Sequence, residues 1–185
     1  RDRSPSRGLG DVYKRQVQGN IVDVLMPPLS EYELTFSYTL GGVTRGLLVG
    51  LSVSTVIYLI VPLQVYSLVI IFYFALFSSL LLSLLGVLCG IWAKKFDHMA
   101  SVTNFIILPL TFLSGTFYSV SKLPAPFDVI SFFNPVFWLM DGVRFGALGE
   151  AESNILLGCI GIMSVNLILF LTVWKWFSVG YFLKD

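Results

Sequence analysis

The stretch that decides the fold is GLLVGLSVSTVIYLIVPLQVYSLVIIFYFALFSSLLLSLLGVLCGIWA, residues 46–93, which contains no charged side chain. A helix needs about 20 predominantly apolar residues to cross a hydrocarbon core about 30 Å thick. This run is therefore long enough for two crossings, joined by a turn at Pro62 and Gln64. Two more uncharged runs lie further along the chain, at 99–121 and 153–174.

The composition supports the same interpretation. The 185 residues are 56% hydrophobic and 12% charged, whereas about a quarter of the residues of an ordinary soluble domain are charged. The sequence predicts an all-α polytopic membrane protein with four transmembrane helices. The predicted spans are 38–61, 65–93, 101–120 and 154–179, within a transmembrane domain at 37–185.

Two of the spans carry features that affect packing. Gly42, Gly46 and Gly50 are four residues apart, and small residues at this spacing let helices approach closely in lipid. The alternative is the general richness of membrane helices in glycine. In the third span, Pro109 removes a backbone donor and is expected to kink the helix.

The segment 121–153 is apolar but interrupted, so it cannot cross as one helix. Prolines and small polar residues break it at Pro124, Pro126, Asn134, Pro135 and Gly142. Irregular backbone at membrane depth requires protein or a water-filled cavity around it. The pattern predicts a re-entrant pair of short helices on the outer side, which meet at Asn134 and Pro135 and line or close the exit.

Arg144 comes three residues after Asp141 within this segment. Side chains at that spacing meet on a helix, so we predict that the two residues pair. A structural ion pair is favoured over contact with a substrate.

The distribution of basic residues predicts the orientation, because cytoplasmic loops are enriched in Lys and Arg. If the loop 94–99 and the carboxyl terminus are cytoplasmic and 121–153 is external, five basic residues lie inside and two outside. The inner set is Arg45, Lys94, Lys95, Lys175 and Lys184, and the outer set is Lys122 and Arg144.

Several classes of function are disfavoured by the residues that the sequence contains. It has no GxxxxGK[ST] motif for binding ATP phosphates, so no cofactor is expected in this chain, which is not expected to be an enzyme. His98 is the only histidine, and a solvated loop residue is favoured over a catalytic base. Cys89 and Cys159 lie in apolar runs, which favours small buried side chains over a disulfide or a metal site. Outside the first 16 residues the basic side chains form no patch, so binding of nucleic acid is disfavoured.

Residues 1–16, RDRSPSRGLGDVYKRQ, differ in composition from the rest of the chain and hold five of the twelve Lys and Arg residues. The run RGLGDVYKRQ resembles a translated sequencing-adapter tail, so we interpret 1–16 as a non-native tail and expect the protein to be truncated before Val17. The alternative is a native basic arm that lies on anionic lipid.

The run PLTFLSGTFYSVSKLPAPFDVISFFNPVFWLMDGVRFGALG, residues 109–149, resembles the carboxy-terminal half of ABC transporter permeases of type 2. The resemblance depends on the order and spacing of LSG, LP, NP and a subsequent arginine. The residues that carry it, which we interpret as an outer gate, are Ser114, Gly115, Pro124, Asn134, Pro135 and Arg144. QGNIVDVLMPPLS, residues 18–30, also resembles the loop before the third membrane helix of that family.

The resemblance implies a six-helix permease of which this chain holds the third to sixth helices. It further implies a second permease subunit, giving a homodimer in the inner membrane, and a separate ABC ATPase subunit that binds the ATP. The ATPase would dock on a cytosolic coupling element at 17–36 through Gly19, Asn20, Asp23, Leu25 and Pro27. The alternative for this element is a loop resting on lipid headgroups. The implied function is export of a hydrophobic or amphipathic compound, a lipid-linked glycan or a drug; the alternative is a channel or an ion-driven carrier.

Overall fold

The computed structural model describes residues 30–61, 65–93, 96–116, 120 and 127–179, with the backbone alone at 96, 97, 127 and 128. Every element in these ranges is helical. In chain order the α-helices are α1 Glu31–Ile60, α2 Leu68–Trp92, α3 Phe96–Val102, α4 Leu108–Phe112, α5 Phe127–Phe132, α6 Pro135–Leu148 and α7 Ile155–Ser178. A π-helical turn, Thr103–Ile107, joins α3 to α4.

Within the described ranges, three helices are long and apolar enough to cross a membrane: α1, α2 and α7. The start of α1 lies before the predicted span 38–61 and within the segment 17–36, because Ser30 and Glu33 form a capping box. The Ser30 hydroxyl accepts from the Glu33 amide, and the Glu33 carboxylate accepts from the Ser30 amide at 2.9 Å. This exchange satisfies two amides that a helix start leaves without partners.

The predicted third span, 101–120, corresponds to a shorter and interrupted element. We call α3, the π turn and α4 together the split helix, residues 96–112. At about 1.5 Å per residue it is about 25 Å long, which is less than the roughly 30 Å hydrocarbon core. The expected distortion at Pro109 takes the form of the π turn, in which the Leu108 amide bonds to the Thr103 carbonyl.

Helix α2 is the centre of the fold, since α1, α6 and α7 all pack against it. One apolar cluster joins Phe74 and Leu81 of α2 to Leu139 of α6 and Ile162 of α7. A second cluster joins Leu84 to Val173 and Phe177 of α7. The two clusters bury successive stretches of the same helix.

Glycines let α1 approach α2. A Cβ at Gly46 would lie 2.9 Å from Ser79 Cβ, and one at Gly42 would lie 2.7 Å from Ser83 Cβ. The Ser83 hydroxyl then donates to the Thr39 carbonyl at 2.9 Å. The predicted close contact is confirmed for Gly42 and Gly46, whereas a Cβ at Gly50 would have nothing within 4 Å.

Two more glycines bring α6 against the first half of α2. A Cβ at Gly142 would overlap the Phe74 ring, and one at Gly146 would lie 2.9 Å from the Ile71 amide. The Ser67 amide bonds to the Gly146 carbonyl at 2.9 Å. Helix α6 is thus held with its end beside the start of α2.

Replacing Gly46 with leucine should destabilise the protein by about 1–3 kcal/mol, because the added side chain would overlap Ser79 and separate two helices. The matched control is Gly50→Leu, one turn away in open space, which should leave the thermal unfolding midpoint nearly unchanged. The measurement is thermal unfolding of the purified variants in detergent. Equal loss of stability in both variants would contradict the glycine contact.

Candidate functional site

The candidate site is a network of polar side chains where α4 ends, α6 passes and α7 begins. We call it the helix-end network and define it by six residues: Gly115, Asn134, Asp141, Arg144, Glu152 and Ser153. Five of the six gate residues predicted from sequence belong to it or directly adjoin it in the chain, and each has a local reason for its position.

The LSG motif ends the split helix. Gly115 has φ 72°, a left-handed conformation that glycine adopts without strain and that commonly terminates helices. The buried Ser114 hydroxyl donates to the Thr111 carbonyl at 2.5 Å and bonds to the Thr116 hydroxyl. The motif therefore turns the chain sharply and leaves the Gly115 carbonyl open to another partner.

The NP motif starts α6. Asn134 is buried, and its side-chain carbonyl accepts from the Val136 amide at 2.9 Å as an N-cap. Pro135 occupies the first turn, where its missing N–H costs nothing. The other end of the Asn134 amide donates to the Leu110 carbonyl at 2.6 Å. One side chain thus caps α6 and fastens it to the split helix.

Arg144 connects three parts of the chain. Its Nη1 lies 2.9 Å from Glu152 Oε1, and its Nη2 donates to the Gly115 carbonyl at 2.8 Å. The second oxygen of Glu152 accepts from the Val120 amide at 2.9 Å. A guanidinium can make both contacts because its planar fork presents several donors at once.

The predicted pairing of Arg144 with Asp141 is wrong. Asp141 is almost fully buried and accepts instead from the backbone amides of Glu152 at 2.9 Å and Ser153 at 3.0 Å, and from the Ser153 hydroxyl. Backbone donors stabilise a buried carboxylate without a counter-ion. Arg144 remains a structural ion-pair residue, but its partner is Glu152, eight residues away.

Sequence reasoning also missed Glu152 and Ser153 as members of the network. They lie in the loop between α6 and α7, so no helical spacing relates them to Arg144. The one signal in the sequence was the presence of two carboxylates close together, Glu150 and Glu152, at the end of a largely apolar segment. Of the remaining predicted residues, Pro124 and the five coupling residues lie outside the described residues.

A buried amide joins α7 to α2 farther along. The Asn166 amide donates to its own helix at Ile162, 3.0 Å away, and to the Phe77 carbonyl of α2 at 3.4 Å. Side-chain hydrogen bonds of this kind join helices in lipid at about 1 kcal/mol each. Asn166 therefore contributes to the rigidity of the α2 and α7 pair.

Replacing Glu152 with glutamine should destabilise the protein by about 1–3 kcal/mol, since one carboxylate oxygen becomes an amide donor facing Arg144 or the Val120 amide. The matched control is Glu150→Gln, which removes the same charge from an exposed side chain two residues earlier. Chemical or thermal unfolding in detergent gives the comparison. If both variants unfold alike, the bonds of Glu152 contribute nothing to stability.

Comparison of the sequence with known proteins identifies a family. The model of the ABC-2 type transporter family matches residues 15–148. The chain is 35% identical over 169 residues to the inner membrane transport permease YadH of Escherichia coli K12, and the match covers 91% of this chain and 66% of that protein. The YadH protein of Shigella flexneri matches to the same extent.

A more distant relative is nodulation protein J of Rhizobium leguminosarum bv. viciae, 28% identical over 92 residues, which cover 50% of this chain and 35% of that protein. No solved structure matches. The chain spans 66% of the length of the YadH proteins, just under two thirds. With three described helices able to cross a membrane and a family match over more than half its length, the chain belongs to the ABC-2 type transporter family.

Proposed function

We propose that this chain is the membrane-spanning permease subunit of an ATP-driven exporter in the inner membrane. The observation that carries the proposal is the family match over residues 15–148. The sequence itself contains no phosphate-binding GxxxxGK[ST] loop. ATP would therefore be bound and hydrolysed by a separate ABC ATPase subunit, and this chain would supply the path.

The proposed architecture has the split helix as a fourth crossing, with its length of about 25 Å matched by local thinning of the bilayer, and the α5 and α6 pair as the re-entrant element. Two contacts support the second assignment. Pro135 at the start of α6 borders the same cavity as Leu81 and Leu85 in the middle of α2, whereas Gly146 near the end of α6 contacts the start of α2. Helix α6 would then rise from mid-bilayer to the outer surface.

Exposed apolar surface supports a second permease subunit and lipid as partners. Along α1, Leu51, Leu59 and Ile60 are 68%, 79% and 74% exposed, so this helix needs cover from lipid or from other protein. A homodimer with the transport path at its interface would bury part of that surface. The nearly uncharged helices suit a hydrophobic or amphipathic substrate, a lipid-linked glycan or a drug, because a fixed-ion site requires ionisable side chains at membrane depth.

The alternative of an ion-driven carrier or channel has no specific feature in its favour among the described residues. A carrier typically places acidic side chains within its spans or shows an internal repeat. The buried acid Asp141 is held by backbone amides beside the α7 start, where it has a structural role. An ABC ATPase reading frame adjacent to this gene would further favour the exporter.

The topology can be tested with two single cysteines in a background lacking Cys89 and Cys159. A cysteine at Ala151 should react with an impermeant thiol reagent in intact cells, and a cysteine at Lys95 should react only after the cells are opened. The reason is the excess of Lys and Arg on the proposed inner side. Labelling at position 95 but not at position 151 in intact cells would show that the orientation is the reverse of the proposed one.

The coupling assignment can be tested in the full-length protein coexpressed with the ABC ATPase of its gene neighbourhood. Leu25→Asp should reduce copurification of the ATPase and abolish export, because a buried carboxylate without a partner costs several kcal/mol. Leu25→Met, which keeps an apolar side chain of similar volume, should retain both. Membrane insertion is the control for folding. Unchanged copurification and efflux in Leu25→Asp would remove the support for coupling through this residue.

A further inference from the structure

The second half of the split helix is bonded by side chains to other parts of the fold. After Pro109, three hydrogen bonds fasten the chain to α6 and the loop that comes after it. Asn134 donates to the Leu110 carbonyl, Arg144 donates to the Gly115 carbonyl, and Glu152 accepts from the Val120 amide. We call these three side chains the latch.

The latch is itself mounted on the rigid part of the fold. Helix α6 packs so closely against α2 at Gly142 and Gly146 that an added Cβ would overlap Phe74 and Ile71. The loop before α7 is fixed by the bonds from Glu152 and Ser153 to the buried Asp141. Movement of residues 110–116 relative to α2 would therefore break several bonds between partly buried groups, and each group left unpaired is costly.

The middle of the split helix is its weakest part. In the π turn the Leu108 amide reaches back five residues to the Thr103 carbonyl. Pro109 has no amide hydrogen, so it cannot donate to the Phe105 carbonyl as an α-helical residue would. Interruptions of this kind are where helices bend. The Phe105 side chain at this point is 80% exposed.

A cavity lies beside this weak point. It has a volume of about 570 Å³ and lies between the split helix, α2 and α7. Ile106 and Ile107 line it from the π turn, Leu85 and Cys89 from α2, and Leu169 and Trp176 from α7. At the far end, the His98 ring contacts the Trp92 ring of α2 with centroids 5.6 Å apart. The helix is thus attached near both ends and has room in its middle.

We propose that the split helix is an adjustable wall that bends at its π turn while the latch holds its second half fixed. Bending changes the width of the cavity between α2 and α7. Arg144 is then a positioning residue: by bonding Gly115 and Glu152 together, it confines the movement to the part of the helix before Pro109. The adjustable wall rests on the proposed function in one respect: bending serves transport when the transported compound passes beside the split helix.

Distances between pairs of spin labels test the proposal in lipid nanodiscs. The background lacks Cys89 and Cys159, and each pair joins two exposed positions. The middle pair is Phe105→Cys with Ile168→Cys, and the second pair is Phe112→Cys with Leu156→Cys. We expect the distance distribution of the middle pair to be at least about twofold wider than that of the second pair, as two or more bent states predict.

Variants then assign the cause. Arg144→Met should widen the distribution of the Phe112 and Leu156 pair, Arg144→Lys should give an intermediate width, and Glu150→Gln should leave it unchanged. Pro109→Ala restores a backbone donor and should narrow the distribution of the middle pair. A purely structural role for Arg144 would lower stability without changing either width.

Equal widths of the distance distributions of the two pairs, in the background without further substitutions, would overturn the adjustable wall. An unchanged second pair in Arg144→Met would overturn the latch, and an unchanged middle pair in Pro109→Ala would overturn the bend at the π turn. These measurements require no ATPase. If the distances behave as expected, but added ATPase and ATP neither shift the middle pair in nanodiscs nor drive export from sealed membrane vesicles, the proposed function fails while the wall stands.

Discussion

The structure depends on how closely other helices can approach α2. Lipid gives little hydrophobic drive for helices to associate, so they must gain dispersion contacts and hydrogen bonds instead. Both require near-contact of backbones, and Gly42, Gly46, Gly142 and Gly146 provide it on two neighbours of α2. The Ser83 bond to Thr39 and the Ser67 bond to Gly146 form only because the helices are this close.

Once α1, α6 and α7 are fixed around α2, the ends of the helices determine where polar groups can be satisfied. Helix termini leave carbonyls and amides without partners, and these are expensive away from water. Asn134 donates to the Leu110 carbonyl, and Arg144 donates to the Gly115 carbonyl. Asp141 accepts from two amides of the loop before α7. The LSG motif therefore ends the split helix and the NP motif begins α6. Each of these two helices supplies a hydrogen-bonding side chain or carbonyl to the other.

The sequence was sufficient for the features that depend on local composition. The uncharged runs predicted two spans whose ends lie within three residues of the ends of α2 and α7. The reason is that insertion depends on the length of the apolar segment. The motif residues Ser114, Gly115, Asn134 and Pro135 were found through the resemblance to a known family, and the structure shows that they form helix ends, where cap chemistry is local. The capping box of Ser30 and Glu33, which the sequence analysis did not use, accounts for the earlier start of α1.

The features that the sequence could not supply depend on which loop meets which helix. The spacing of Asp141 and Arg144 permitted a pair, but burial of Asp141 against two amides made the alternative better, and it left the guanidinium for Glu152. The glycine spacing likewise could not distinguish Gly46, in contact with Ser79, from Gly50, in open space. The same difference between local and tertiary interactions also distinguishes two parts of the molecule. Close packing around α2 forms a rigid part. The split helix, whose backbone hydrogen bonding is interrupted before Pro109, is joined to α6 and to the loop after it by the bonds at residues 110, 115 and 120.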